Sequence, residues 1–255
     1  MSRFVRLLAL CVILGGGSAQ AEKLTIAVST PAVQIDSNFT GTGVTVFGVI
    51  QQDTTSVVPA GGTYGVAILI VGPPESVVVR RKDRVLGIWA NAGAETLLRP
   101  PGFYALSTSG ALAGLAGATT LQRLQIGLAN LGFVYADRAS DDPAGTEFRN
   151  AFVRIKERAG LYHEDAGVTF IGDLVFRATV HLPANIPVGR YTVLAYIFAG
   201  GDLIAHAQES IDVSTTGLEA TMTDFARNQA LLYGVICAAL AVFIGWLGGV
   251  IFRRD

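Results

Sequence analysis

The stretch YGVAILIV, residues 64–71, runs eight positions without a charge and stops at Gly72-Pro73-Pro74. A half-buried strand alternates apolar and polar residues, because successive side chains point to opposite faces. This stretch does not alternate, so it predicts a strand covered on both faces, inside a layered β structure. Proline cannot donate to a strand ladder, and the Pro-Pro pair marks its end.

Outward from that strand, residues 22 to about 109 read as β throughout. Leu24 to Val28 and Val44 to Val49 alternate, Val77-Val78-Val79 and Val85 to Trp89 follow, and Gly102 to Leu106 closes the set. The polar, Gly-rich segment Gln51 to Thr63 between two such runs reads as a long hairpin loop. At Gly110 the character changes. Apolar residues at Leu121, Leu124, Leu128 and Leu131 have helical spacing, and Asp141-Asp142-Pro143 reads as a capped helix start. In that helix Phe148, Phe152 and Ile155 form the expected apolar face. Glu147, Arg149, Arg154, Lys156 and Arg158 form a solvated one, and Gly160 lies past the last turn. After Ala166 the β pattern returns over Val168–Ile171, Leu174–Leu182, Tyr191–Phe198 and Leu203–Val213, with a tight glycine turn at Gly200-Gly201.

One short pattern occurs twice: Pro100-x-Gly102-x-Tyr104 and Pro187-x-Gly189-x-Tyr191 each open a strand. Proline fixes φ, glycine permits the corner, and tyrosine buries its ring with its hydroxyl near backbone. Such corners are common in immunoglobulin-like sandwiches. The expected fold is therefore mainly β: one immunoglobulin-like β-sandwich of eight to ten strands, with a helical insertion at about 110–160. Two tandem β domains are the alternative.

The two ends define the setting. Arg3 and Arg6, the apolar run Leu7–Leu14 and Ala19-Gln20-Ala21 read as a secretory signal over residues 1–21, cleaved before Glu22. Residues 230–252 (ALLYGVICAALAVFIGWLGGVIF) carry no charge and are long enough to cross about 30 Å of hydrocarbon. Arg253-Arg254-Asp255 follows as a cytoplasmic tail, which places 22–229 outside the membrane as a periplasmic ectodomain. Setting aside Arg3, Arg6, Arg253, Arg254 and Asp255 leaves 15 of 19 basic and 20 less one, or 19, acidic residues, a net charge of −4 for 22–229. That balance gives no support to nucleic-acid binding. Cys11 leaves with the signal and Cys237 lies in the membrane span, so no disulfide is available outside, and a bacterial periplasm is the expected compartment.

No catalytic signature is present. His163, His181 and His206 are the only histidines, and none are spaced i, i+4 on a helix. They read as strand or surface residues rather than metal ligands. No G-x-S-x-G elbow, P-loop or dinucleotide fingerprint occurs. The expectation is a protein without catalysis, metal or cofactor. Two features stand out instead. Arg80, Arg81, Lys82 and Arg84 crowd four cations into five positions beside Trp89. They are expected near the turn of a hairpin made by Val77–Val79 and Val85–Trp89, facing water, anionic lipid, a small oxyanion or a partner. Gly234, Ala238, Ala241, Gly245 and Gly249 form a small-residue stripe on the membrane helix. Such a stripe admits another helix closely, whether from a second copy or a different protein.

The segments VVVRRKDRVLGIWAN, PPGFYALST, LQIGLANL, FRNAFVRIKERAGLY and LPANIPVGRYTV, with ALLYG leading into a helix that ends in Arg-Arg, occur in this order. In these the chain resembles the alphaproteobacterial "putative transmembrane protein" family, from about Leu24 to Arg254. The resemblance implies a signal-bearing, single-pass inner-membrane protein. It also implies association with a polytopic permease of the sulfite-exporter type, as an accessory subunit. It supplies no catalytic residues.

Overall fold

The computed structural model describes residues 22–52, 64–85, 87–136, 143–216 and 225–251. The signal segment 1–21, the capping pair Asp141-Asp142, residues 217–224 and the tail 253–255 lie outside them. Among the described residues the fold is mainly β, with thirteen strands in three sheets.

The predicted central strand, β4 (Gly65–Val71), sits inside a six-stranded sheet of order β2-β13-β12-β4-β7-β9. Its neighbours there are β12 (Gly189–Ala199) and β7 (Tyr104–Thr108), both antiparallel, and Val66, Ile68 and Ile70 are fully buried. β13 (Asp202–Thr215) follows β12 through Gly200-Gly201, both at positive φ, a two-residue turn that only glycine makes without strain. The edges are β2 (Ala32–Ile35) and β9 (Tyr162–Asp165), each parallel to its neighbour. A four-stranded sheet, β1-β3-β11-β10, uses Glu22–Val28, Gly41–Gln52, Val175–Pro183 and Thr169–Phe170. It shows the expected alternation, with Val44, Val46, Ala178 and Val180 inward. These residues and those of the larger sheet join one hydrophobic core. The N-terminal and C-terminal β segments therefore interleave in both sheets.

Several expectations are corrected. Residues 51–63 do not close a hairpin: Gln52 ends β3 in one sheet and Gly65 starts β4 in the other. The reason is occupancy, since β3 already pairs with β1 and β11, and β4 with β12 and β7. Most of that segment, 53–63, lies outside the described residues. Beyond the two main sheets, β5 (Val77–Val85), β6 (Ile88–Leu98) and β8 (Val134–Tyr135) form a third. The four cations lie along β5 itself rather than at its turn, because the strand continues to Val85 before the chain reverses at Gly87, φ +86°.

The insertion is broken into short pieces: α1 (Leu112–Leu115), α2 (Ala118–Arg123) and a 3₁₀ turn (Leu128–Asn130). Gln125 and Gly127 take φ of +54° and +104°, which ends helical hydrogen bonding between Leu121 and Leu128. α3 (Pro143–Arg158) opens on proline and closes at Gly160. There the N–H groups of Gly160 and Leu161 donate to the carbonyls of Glu157 and Lys156, both at 2.9 Å. Its buried face is rotated from the predicted one. Phe148 and Phe152 are buried, but Ile155 is 57% exposed and Lys156 takes an inward place. Lys156 turns inward because its ammonium finds the Glu75 carboxylate and, at 3.4 Å, the Gly102 carbonyl. Arg149 also leaves the solvated face, donating to the carbonyls of Leu128, Ala129 and Leu131.

The repeated corners meet in space. The Tyr191 hydroxyl donates to the Pro187 carbonyl at 2.7 Å, and the Tyr104 hydroxyl to the Gln125 carbonyl at 3.1 Å. Gly102 donates its N–H to the Pro73 carbonyl at 2.8 Å, and a Cβ there would meet Pro187 Cγ at 2.8 Å. The proline pair that ends the central strand is thus the seat for both corners. His163-Glu164-Asp165 makes up most of β9. Asp165 accepts from the Ser107 hydroxyl and the Gly167 N–H, and Glu164 accepts from the Leu128 N–H. Edge pairing with β7 brings Asp165 to the Ser107 hydroxyl, while the backbone donors come from Gly167 and Leu128 outside that strand.

Candidate functional site

In a strand, alternate residues share a face. On β5 this puts Val78, Arg80, Lys82 and Arg84 on one side, and Val77, Val79 and Arg81 on the other. The partners on β6 agree: Arg84 lies opposite Trp89 and Lys82 opposite Asn91, while Val77 lies opposite buried Leu97. A register shift between Arg81 and Lys82 passes over Ala92, a β-bulge that adds local twist to the hairpin.

The four cations therefore separate. Arg81 faces α3, where its guanidinium donates to Glu147 at 3.0 Å, and Phe148 packs against Gly93 beside it. Arg80, Lys82 and Arg84 are exposed on the opposite face with Trp89. Among the described residues no carboxylate pairs with these three, and Arg84 reaches only the Gly87 carbonyl at 3.4 Å. Trp89 is 69% exposed and Ile88 72%, so the hairpin end combines exposed cations with large uncovered apolar side chains. Such a face suits charge-assisted contact with an oxyanion, since a guanidinium offers a planar fork of donors. It suits anionic headgroups equally.

The second feature is α4 (Ala230–Ile251), preceded by a short helical segment at 225–228. Its Ala230–Gly249 portion has a mean hydropathy of 2.3 and is 0% buried, so no other part of the described chain covers it. Gly234, Ala238, Ala241, Gly245 and Gly249 follow steps of three and four residues and share one face. Elsewhere, no group of three or more potential metal ligands occurs among the described residues. His163 lies half-buried, edge-on to Phe103 at 5.7 Å between ring centroids. Burial lowers its pKa below 6.5, Asp165 opposes that shift, and His181 adds to it.

Sequence reasoning did not single out Arg99 and Gln125. They line a cleft of about 410 Å³ between the outer face of the six-stranded sheet and the helical insertion. The available signal was local: Arg99 stands immediately before Pro100-Pro101, where backbone choice is narrow.

A mainly β domain carrying one uncovered apolar helix of membrane-spanning length defines a class: a membrane-anchored β protein. Within that class the chain belongs to the alphaproteobacterial family described as "Putative transmembrane protein (Alph_Pro_TM)", which it matches over residues 23–254. No curated protein matches it significantly.

Proposed function

We propose that the chain is a non-enzymatic, single-pass inner-membrane protein that serves as an accessory subunit of a membrane transporter. Its β domain stands on the periplasmic side, residues 1–21 act as a cleaved signal, and the C-terminus is cytoplasmic. The observation that carries this reading is α4: an apolar helix with a continuous small-residue face, its Ala230–Gly249 portion left uncovered by the rest of the described chain. Small residues let helix backbones approach closely in lipid, where apolar burial alone gives no driving force. The Arg253-Arg254 flank supports the orientation. The family resemblance supports a polytopic permease of the sulfite-exporter type as the partner. Affinity purification of the tagged full-length chain in mild detergent tests it: a polytopic protein at near-stoichiometric level is expected. Recovery of this chain alone, or only as a homodimer, would count against it.

A second reading rests on the separated cation face: a membrane-tethered module that captures a small oxyanion at Arg80, Lys82 and Arg84. Titration of sulfite, sulfate and phosphate into the reconstituted protein would then give heat that Lys82→Ala weakens. Arg81→Ala, on the other face, would leave it unchanged. No heat from any of the three anions would dismiss this reading.

A further inference from the structure

Positive φ costs little in glycine and considerably more in a residue with a Cβ. Among the described residues nine positions take positive φ, and seven are glycine; the other two are Arg99 at +55° and Gln125 at +54°. Glycine would relax either position, so each side chain is carried at the expense of backbone strain. Such strain persists where surrounding structure enforces it and where the side chain has a use.

The surroundings do enforce it. Past Arg99, the Pro100 carbonyl accepts from the Glu75 N–H at 2.9 Å, and Gly102 is tied to Pro73. Gln125 is pinned by the Tyr104 hydroxyl on its carbonyl and by its own N–H to the Gln122 carbonyl at 3.1 Å. These two loops are distant in sequence and belong to different elements, yet both residues line the same cleft.

The lining has a distinct chemistry. Leu69, Val71 and Leu194 come from the sheet, and Leu124 and Leu131 close over them from the insertion. Arg99 and Arg190 supply two guanidiniums, and no aspartate or glutamate is among the lining residues. Arg190 is already engaged by the exposed Asp212 at 2.9 Å, while among the described residues no carboxylate pairs with Arg99. An inorganic anion would leave the apolar lining unmatched, and a neutral apolar molecule would leave the Arg99 guanidinium unmatched. The volume lies within the range usual for small-molecule sites, roughly 300–1,000 Å³.

We propose that this cleft binds an amphiphilic carboxylate, an acid head on an aliphatic stem. Arg99 takes the head through its guanidinium fork, Gln125 flanks it with its side-chain amide, and the leucines take the stem. The site is separate from the hairpin face and from α4, and stands whether or not a transporter partner exists.

Sodium octanoate is the probe, titrated into the full-length chain in nanodiscs of zwitterionic lipid, with empty nanodiscs as the blank. Saturable one-to-one binding is expected, with acetate and octanol each at least tenfold weaker. Arg99→Gly is the informative variant because glycine accepts φ +55° freely. It should weaken octanoate at least tenfold while its Tm stays level or rises, and Arg99→Lys should recover part of the affinity. Absence of saturable binding above the blank would overturn the proposal. So would equal binding of octanol, unchanged affinity in Arg99→Gly, or a lowered Tm in that variant, which would make Arg99 a structural residue.

Discussion

Gly48 is the position where one added methyl tests the register of the four-stranded sheet most sharply. It lies directly opposite Phe176 across the β3–β11 pair, and the phenyl ring occupies the space above its Cα. A Cβ built there would stand 2.0 Å from Phe176 Cζ and 2.4 and 2.6 Å from the two Cε atoms. Phe176 is fully buried, and it meets Phe170 at 6.0 Å between centroids, so the ring has no free direction in which to turn. Overpacking a close-packed core costs about 1–3 kcal/mol, and complete loss of the ring's packing sets an upper bound of about 5 kcal/mol. For a domain of this size each kcal/mol moves Tm by roughly 2–4 °C. Gly48→Ala should therefore lower Tm by about 2–12 °C, read by thermal unfolding of the full-length protein in detergent. The double-mutant cycle removes the ambiguity. In a Phe176→Ala background the same change should cost less than about 0.5 kcal/mol, leaving a coupling energy of about 0.5 kcal/mol or more. An equal cost in both backgrounds, or no cost in the first, would refute the assigned register.

Two other perturbations follow from the buried polar groups. The Lys156 side chain is 11% exposed and Glu75, its partner, 32%. Glu75→Ala strands a nearly buried ammonium and should cost about 3 kcal/mol in chemical unfolding, whereas Lys156→Met, which removes the charge and keeps the stem, should cost clearly less. His163 titrates below 6.5 in the folded chain, so the unfolded chain binds more protons in that interval. Stability should be complete above pH 6.5 and decline as pH falls through 6.5 toward the folded value. His163→Gln should flatten that slope in unfolding curves taken across pH 5–8; an unchanged slope would assign it to other groups.

The parts of the structure that could be read from sequence are those governed by short-range rules. The continuous apolar run at 64–71 does become a strand covered on both faces, and the glycine turn at 200–201 and the Pro187-x-Gly189-x-Tyr191 corner, with its Tyr191 hydroxyl on the Pro187 carbonyl, are local in origin. The segment after Gln52 was misread because strand pairing is set by which edges are already occupied, and no local signal reports that. Lys156 looked like surface because composition cannot show that a carboxylate from Glu75 waits on the inner side. The basic cluster was visible as a cluster, but its division into Arg81 and the other three depends on α3 covering one face of the hairpin. Arg99 was invisible as a candidate, since a positive φ in a residue other than glycine is imposed by tertiary contacts.

The proposed function makes α4 a contact surface as well as an anchor. Photo-crosslinking in native membranes, with a benzophenone side chain placed singly at Ala241 on the small-residue stripe or at Phe243 on the opposite side, addresses it directly. A discrete adduct with a polytopic membrane protein is expected from position 241, and little or none from 243. Equal labelling from the two positions, or adducts with lipid alone at both, would contradict it.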